Sequence, residues 1–299
     1  MKLKTQLWNL TELPTETAPK LVLLHGMGGT GALWRPIATQ LETQFAILAP
    51  DQRGHGGSII TIESTTGSTI ENALGVHEEF DKPDYSPLAY GQDLIETLEE
   101  AHFYPSWILG HSMGVRTAVA FAHLKPKWTE GLILVDLGLS GLAGGGLGEG
   151  LANFLKKLPK KFQSREEARL FMSENCPDPS IAQYLMAVSV KTPQNEVIFP
   201  FDHDALIQTT HAAREVSIRN WVRDLGSQGM PILVLRGALS KVWTHEEFET
   251  EKASFADLKS VVFHEVDNAG HGLPFEQRLT FVELIKEFIQ KSSVQLHYP

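Results

Sequence analysis

The sequence predicts an α/β fold, in which a mostly parallel sheet is covered by helices on both faces. Two observations predict it. Short apolar runs alternate with helical patterns along the 299-residue chain, as in successive βαβ units. Glycine-rich loops follow several of these runs, and catalytic groups gather at the carboxyl ends of the strands in an open parallel sheet.

The first apolar run, residues 21–24, predicts a buried parallel strand. It leads into HGMGG, residues 25–29, a loop whose glycines let backbone N–H groups approach a ligand. His25 and Gly26 open this loop, and the N–H of Met27 is an expected donor to an oxyanion. The alternative is a nucleotide-phosphate loop: residues 26–31, GMGGTG, fit G-x-G-x-x-G, but no G-K-[ST] follows them.

A second strand is predicted at residues 45–49, followed by PDQRGHGGS at 50–58. Asp51 and Arg53 could be catalytic, but the favoured interpretation is a tight turn that this charged pair ties together. His55 is likewise expected to be structural. An insertion rich in Ser, Thr and Glu then runs from about residue 59 to residue 84, either rimming the active site or making a solvated excursion.

The third run, residues 107–109, is followed by GHSMG at 110–114 and by a helix-forming stretch. A G-x-S-x-G between a strand and a helix is typical of a nucleophile elbow, which holds Ser112 on a strained turn with its Oγ exposed. The helix N-terminus that starts there favours negative charge beside the serine. The N–H of Met113 is therefore the second expected oxyanion donor.

Residues 261–266 predict a last strand, which leads into NAGHG at 268–272. A histidine in a glycine-bounded loop at the end of a strand can reach a serine elbow, so His271 is the predicted general base. Pro274 is expected to open a helix that ends near Gln290 and packs on the core. Its apolar residues at helical spacing are Phe275, Leu279, Val282, Ile285 and Ile289.

From about residue 20 to residue 290 the chain resembles the α/β-hydrolase family, because HGMGG, PDQRGHGGS, GHSMG and NAGHG occur in the family's order. The resemblance implies the α/β-hydrolase fold, with an eight-stranded, mostly parallel sheet and helices on both faces. It also implies a triad in the chain order nucleophile, acid, histidine.

The acid departs from the usual family pattern. The carboxylate normally stands three residues beyond Gly237, where this chain has Ser240, and a serine offers a histidine no negative charge. The preceding predicted strand, residues 131–135, ends instead in Asp136. Ser112, Asp136 and His271 are therefore the predicted triad, with Ser240 as a hydrogen-bonding partner of the histidine or of Asp136.

A subgroup supports that choice, because the chain resembles the YbfF-type bacterial esterases. These carry R-G-x-x-S in place of the usual acid, matched here at residues 236–240, and an aspartate after the sixth strand, matched at 134–136. Residues 164–169 and 201–206 also resemble that subgroup's cap. The alternative is that Asp136 merely caps the next turn. The fallback acids are then Glu246, Glu247 and Asp257.

The segment 137–229 is too long for a plain crossover and predicts a helical cap inserted after the sixth strand, with residues 1–136 and 230–299 as the core. Helical patterns cover 151–158, 166–174, 181–188 and 205–225. The glycine-rich start, 141–150, is either a hinge or a connector with no role. An apolar stripe could face an acyl pocket, a lipid surface or the core, and packing on the core is favoured. The stripe consists of Leu151, Phe154, Leu155 and Leu158.

Composition limits the partners and the compartment. The formal charge of −10 disfavours nucleic acid and anionic membranes. The one cysteine, Cys176, excludes an internal disulfide and suits a reducing compartment. No apolar signal core opens the chain and no apolar run reaches ~18 residues, so a cytoplasmic protein without a membrane span is expected.

The predicted function is hydrolysis of short- to medium-chain carboxylic esters through an acyl-serine, as in carboxylesterases. This chemistry requires no metal and no organic cofactor. The expected partner is a small-molecule ester or thioester, bound by a monomer or a small homo-oligomer. The alternatives are a thioesterase, a C–C bond hydrolase or an acyltransferase on the same triad, or a ligand-binding homologue without turnover.

Overall fold

The structure is a computed structural model that describes residues 1–9, 18–59, 83–140 and 147–297. Ten strands lie within these ranges. They are β1 (Thr5–Trp8), β2 (Lys20–Leu24), β3 (Ala46–Pro50), β4 (Ser106–His111), β5 (Thr129–Val135), β6 (Lys161–Phe162), β7 (Val190–Lys191), β8 (Val197–Ile198), β9 (Ile232–Gly237) and β10 (Val261–Val266).

The main sheet has the order β1-β3-β2-β4-β5-β9-β10, and only β1 runs antiparallel to its neighbour. This topology confirms the predicted α/β-hydrolase fold. The described residues supply seven strands of the sheet, one fewer than the resemblance implies. Because β2 pairs with β3 on one side and with β4 on the other, the loops after β2 and β4 meet at a switch point, where α/β proteins bind ligands.

Eleven α-helices are described. They are α1 (Arg35–Leu41), α2 (Pro87–Glu100), α3 (Met113–Leu124), α4 (Leu147–Lys157), α5 (Arg165–Asn175), α6 (Pro179–Val188), α7 (His203–Glu215), α8 (Arg219–Ser227), α9 (His245–Ser254), α10 (Leu273–Glu276) and α11 (Arg278–His297). Within the described ranges, no helix is both long enough and apolar enough to cross a membrane.

The strands alternate their side chains between two apolar layers. In β2, for example, Val22 and Leu24 face the layer formed with α2, α3, α8 and α9, whereas Leu21 and Leu23 face the layer formed with α1 and α11. All four side chains are fully buried. Two-sided burial explains why the strands appear in the sequence as continuous apolar runs.

The prediction of a single helix at 205–225 is wrong, because the chain forms two helices there. Val216 has an extended backbone, with φ −116° and ψ 111°, which ends α7. After this break the Ile218 N–H donates to the Leu139 carbonyl oxygen at 3.2 Å, and the Ile218 side chain enters the core. The following helix, α8, packs Val222 and Leu225 into the same core layer, although it lies within the predicted cap range.

The helix predicted from Pro274 to Gln290 is also two helices. Gln277, with φ −120° and ψ 48°, separates α10 from α11, and its side-chain amide donates to the Asn268 carbonyl oxygen at 3.0 Å. The predicted packing of Leu279 is wrong, since this residue is 70% exposed. Because of the break at Gln277, the face of α11 that packs on the core differs from the face predicted for one continuous helix. The core face of α11 consists of Phe281, Val282, Ile285 and Ile289.

Helices α4–α7 and the small sheet β6-β8-β7 form a layer with its own apolar cluster, which we call the cap. Phe154 and Leu155 on α4, with Leu158 just after the helix, pack inside this cluster and belong to neither apolar layer of the main sheet, where the sequence favours them. Most of the insertion at 59–84 and of the glycine-rich stretch at 141–150 lies outside the described residues.

Candidate active site

Ser112 stands on a sharp turn between β4 and α3, with φ 54° and ψ −122°. This backbone region is costly for a residue with a side chain, so the surrounding packing must hold it. A Cβ at Gly110 would lie 2.2 Å from the Gly114 carbonyl oxygen, and one at Gly114 would lie 2.5 Å from the Leu24 carbonyl oxygen. The two glycines of the motif therefore allow strand and helix to approach behind the serine.

His271, on the loop after β10, lies between Ser112 and Asp136. Its Nε2 is 3.0 Å from the Ser112 Oγ, and its Nδ1 is 2.7 Å from the Asp136 Oδ2. A carboxylate has only acceptor oxygens, so the His271 Nδ1 carries the proton and donates to Asp136. The other nitrogen, Nε2, is then the acceptor that faces the serine hydroxyl. The structure thus brings together the three residues that the sequence proposes as a triad.

Asp136 follows β5 with φ 53°, and its side chain is fully buried. Besides the imidazole, its carboxylate accepts from the Ser240 hydroxyl at 2.6 Å and from the Gly237 N–H at 2.9 Å. The Val242 N–H donates to the Ser240 Oγ at 3.3 Å, so the hydroxyl proton is directed to Asp136. Of the two partners left open for Ser240, the structure selects Asp136.

The fallback acids have other contacts. Glu247 completes a capping box with Thr244 at the start of α9, where Glu246 is exposed in the first turn. Asp257 forms an ion pair with Arg223, with 2.6 Å between Nη2 and Oδ2. None of these three carboxylates hydrogen-bonds to His271 in the described part of the chain.

Two backbone N–H groups beside Ser112 have no acceptor among the described residues. One belongs to Met27, in the loop after β2, and the other to Met113, the first residue of α3. The first N–H groups of any helix lack intrahelical partners. Both groups are therefore available to bind an oxygen that develops charge next to Ser112.

A cavity of about 50 Å³ lies between Ser112 and the cap. The core residues that line it are Gly26, Met27, His111, Ser112, His271 and Gly272. The cap side is largely apolar, and no Lys, Arg, Asp or Glu lines the cavity among the described residues. The cap side chains that line it are Leu151, Leu155, Ser180, Ile181, Tyr184, Leu185 and Leu206.

His25 is buried and fixed in one tautomer. Its Nε2 accepts from the Gln52 N–H at 2.9 Å, so its proton is on Nδ1, which donates to the Gly26 carbonyl oxygen at 2.8 Å. Burial lowers the pKa of His25 to about 4. The ring therefore stays neutral and organises the loop that carries Met27.

His55 has a similar structural role beneath the same loop. Its Nε2 accepts from the Gly28 N–H at 3.0 Å, and its Nδ1 donates to the Arg53 carbonyl oxygen at 2.9 Å. Burial, followed by the proximity of His25, lowers the pKa of His55 to about 3. This agrees with the structural role expected from the sequence.

Sequence reasoning missed two further residues at the site, His111 and Tyr184. The His111 Nε2–H donates to the His271 carbonyl oxygen at 2.7 Å, and burial lowers the pKa of His111 to about 4. The Tyr184 hydroxyl, from the cap, donates to the Gly26 carbonyl oxygen at 3.3 Å. His111 does lie within the GHSMG motif, but Tyr184 has no local sequence signal.

Comparison with known proteins identifies the family. A model described as the alpha/beta hydrolase family matches residues 21–284. The chain belongs to the alpha/beta hydrolase family. An uncharacterized protein of Mycobacterium tuberculosis is 31% identical over 124 residues, which cover 41% of this chain and 30% of that protein. The match thus spans less than a third of that relative's length.

Two other similarities extend over nearly the whole chain. A Haemophilus influenzae protein provisionally named an esterase/lipase is 22% identical over 281 residues, which cover 93% of this chain and 85% of the relative. The solved structure of a marine microorganism esterase gives a TM-score of 0.73 at 19% identity, covering 96% of this chain and 99% of that one. At this identity the structural likeness shows the fold alone.

In this α/β hydrolase, Asp51 and Arg53 are structural but do not pair with each other as predicted. The Asp51 carboxylate accepts from the Gly31 and Gly57 N–H groups, both at 2.8 Å. Arg53 pairs instead with the buried Asp93, with 2.7 Å between Nη2 and Oδ1. In the described ranges, no group of three or more His, Cys, Asp and Glu side chains is placed to hold a metal ion.

Proposed function

We propose that this protein is a serine carboxylesterase that hydrolyses neutral, short- to medium-chain acyl esters through an acyl-serine. The observation that carries the proposal is the continuous chain of contacts from Asp136 through His271 to Ser112 beside a cavity, with spacings of 2.7 and 3.0 Å. A serine hydroxyl becomes a nucleophile when an adjacent base is itself oriented by a third group.

In the proposed reaction, the Ser112 Oγ attacks the ester carbonyl carbon while His271 Nε2 takes its proton. The Met27 and Met113 N–H groups hold the oxyanion, and Asp136 stabilises the imidazolium. Collapse of the tetrahedral species breaks the bond to the alcohol, which leaves with the proton from His271. Water then attacks the acyl-serine with His271 as base, and the carboxylic acid is released.

The walls of the cavity support a neutral acyl group. A carboxylate or phosphate near Ser112 would need a cationic partner, and the described lining contains neither Lys nor Arg. Apolar side chains such as Leu155, Ile181 and Leu206 favour a hydrocarbon chain. The volume of about 50 Å³ favours a short one.

The resemblance to YbfF-type bacterial esterases supports the assignment of the acid. In that subgroup a serine replaces the usual acid and an aspartate follows the sixth strand, which corresponds to Ser240 and Asp136 here. The names of two similar proteins, an esterase/lipase and an esterase, agree with ester hydrolysis.

The test is hydrolysis of p-nitrophenyl esters from acetate to palmitate by the wild type beside Ser112→Ala. We expect turnover by the wild type with an optimum at short to medium chains, and a loss of several orders of magnitude in kcat in the variant. Thermal unfolding of both proteins controls for folding. If no ester is hydrolysed but a fluorophosphonate labels Ser112, the result would instead favour a thioester or C–C substrate, or a homologue without turnover.

A further inference from the structure

The carbonyl oxygen of Gly26 accepts three hydrogen bonds. His25 Nδ1–H donates at 2.8 Å, the Gly29 N–H at 3.0 Å and the Tyr184 hydroxyl at 3.3 Å. The first two donors belong to the same loop as the acceptor. The third comes from α6, so the cap reaches the loop that carries Met27.

This carbonyl belongs to the peptide unit that carries the Met27 N–H. Because a peptide unit is planar and trans, fixing the direction of the Gly26 C=O also fixes the opposite direction of the Met27 N–H. Donors on the carbonyl also polarise the unit and make its N–H a stronger donor. A hydroxyl on the Gly26 oxygen therefore acts on the oxyanion site without touching the substrate.

The loop packs closely against α6 because two of its glycines have no side chain. A Cβ at Gly29 would lie 2.1 Å from the Tyr184 hydroxyl oxygen, and a Cβ at Gly28 would lie 2.6 Å from Leu185 Cδ2. Two consecutive side chains of the cap thus occupy the space that two consecutive glycines leave open. Such a fit is specific to this position of the cap.

The Tyr184 hydroxyl makes no other hydrogen bond with the described residues. Burial raises its pKa, so the group stays protonated and remains a donor. A buried hydroxyl without a partner is costly, which keeps Tyr184 on the Gly26 oxygen whenever the cap is seated.

We propose that Tyr184 is a positioning residue, through which the seated cap aligns the Met27 N–H for the oxyanion. The inference rests on the proposed esterase function of Ser112. Its consequence is that stabilisation of the oxyanion depends on contact between cap and core. The cap therefore contributes to the rate of acylation in addition to shaping the acyl pocket.

The first test compares Tyr184→Phe with Tyr90→Phe on p-nitrophenyl butyrate. Tyr90 is the matched control, because its hydroxyl also links core and cap, at 2.7 Å from the Thr209 Oγ1, and makes no hydrogen bond with the Gly26 loop in the described ranges. We expect Tyr184→Phe to lower kcat by about fivefold to tenfold with KM changed less than about twofold. Tyr90→Phe is expected to leave both constants near wild type.

A transition-state analogue separates positioning from a general structural effect. The Ser112 Oγ adds to the carbonyl carbon of a trifluoromethyl ketone with a butyl chain, and His271 takes the serine proton. The adduct carries an oxyanion, as the transition state does. We expect Tyr184→Phe to weaken its binding by the same factor as kcat/KM. The corresponding methyl ketone, which is not activated for addition, should bind wild type and variant equally.

A double variant tests the fit between the loop and α6. Gly29→Ala places its Cβ where the Tyr184 hydroxyl now lies, so kcat should fall. Tyr184→Phe removes that oxygen, although a Cβ at Gly29 would still lie 3.0 Å from the Gly26 carbonyl oxygen. We therefore expect the loss in Gly29→Ala/Tyr184→Phe to be smaller than the product of the two single losses. Losses that multiply in the double variant would contradict the proposal.

The outcomes separate this inference from the proposed function. If the wild type hydrolyses esters and binds the trifluoromethyl ketone, but Tyr184→Phe matches it in both, only the role of Tyr184 is wrong. If the wild type neither hydrolyses an ester nor reacts at Ser112, the proposed function is wrong, and this inference is wrong with it.

Discussion

The Ser240 hydroxyl donates a hydrogen bond of 2.6 Å to the buried carboxylate of Asp136. Ser240 occupies the position, three residues beyond Gly237, where the common α/β-hydrolase pattern has its acid. The residue at the usual position therefore supports a carboxylate that comes from the neighbouring strand. In this protein the carboxylate beside His271 follows β5. In the common pattern the acid follows the strand that corresponds to β9.

Asp136→Asn is expected to lower kcat by up to ~10⁴-fold, because an amide stabilises the wrong imidazole tautomer and no imidazolium. The measurement is kcat for p-nitrophenyl butyrate at pH 8. Asp257→Asn is the matched control, since its carboxylate is exposed and pairs with Arg223. A near-normal rate for Asp136→Asn together with a large loss in a Glu246 or Asp257 variant would move the acid elsewhere.

Ser240→Asp is expected to retain more activity than Asp136→Ala. The first variant keeps a carboxylate against His271 but sets a second one beside it, and two like charges in a buried site cannot both ionise without cost. The second variant leaves the imidazole with no negative partner. Initial rates of both variants against pH provide the comparison, and a greater loss in Ser240→Asp would contradict this assignment of roles.

The residues that sequence reasoning could reach lie in short motifs that follow strands. Ser112 and His271 stand in glycine-bounded loops, and Asp136 ends an apolar run where the usual acid is missing. Each pattern can be recognised in a short stretch of sequence. The fold then brings the three residues together, because it places the ends of parallel strands side by side. The alternation of apolar runs likewise predicted the parallel part of the sheet, while β1, an antiparallel edge strand with partly exposed residues, gave no such run.

Other parts of the structure depend on contacts between distant residues. Tyr184 reaches Gly26 across 158 positions of the chain, and no sequence spacing encodes such a pair. The break at Val216 was missed for a related reason, because apolar spacing continues across it. After the break the Ile218 N–H donates to the carbonyl oxygen of Leu139, a residue far away in the sequence.

Arg53→Met is expected to destabilise the fold by about 1–3 kcal/mol, because the fully buried carboxylate of Asp93 loses its guanidinium partner and keeps only the Met1 ammonium as a charged partner in the described part of the chain. Urea unfolding gives the free energy. Arg53→Met/Asp93→Asn should recover most of the loss, since the charge is then removed together with its partner. The exposed pair provides the control, and Arg223→Met should cost less than about 1 kcal/mol.

Leu151→Ala is expected to shift the acyl preference to longer chains. Leu151 lines the cavity from α4 and is only partly buried, so its truncation enlarges the pocket at a modest cost in stability. Each additional methylene accommodated is worth about 0.8 kcal/mol, or about fourfold in kcat/KM. The readout is kcat/KM from acetate to decanoate. Leu170→Ala, on the exposed face of α5, should leave the profile unchanged.

Acid is expected to destabilise the protein through its three buried histidines near the site. The pKa values of His25 and His111 fall to about 4 and that of His55 to about 3, from an ordinary value near 6.5, because burial penalises the charged rings. The unfolded chain then binds more protons than the folded one below pH 6.5. The stability is fully present above that pH and decreases as the pH falls toward 4.

By pH 5 each of these rings is expected to remove about 2 kcal/mol from the free energy of unfolding measured at pH 7, which urea titrations at successive pH values would detect. His55→Gln removes one titrating ring while its amide oxygen can still accept from the Gly28 N–H, because Gln reaches the position of Nε2. The slope of stability against pH near pH 5 should therefore fall by about 1.3 kcal/mol per pH unit. The exposed His211, changed to Gln, is the matched control. An equal slope in wild type and His55→Gln would mean that His55 is protonated on both ring nitrogens in the folded protein, contrary to the hydrogen bond from the Gly28 N–H.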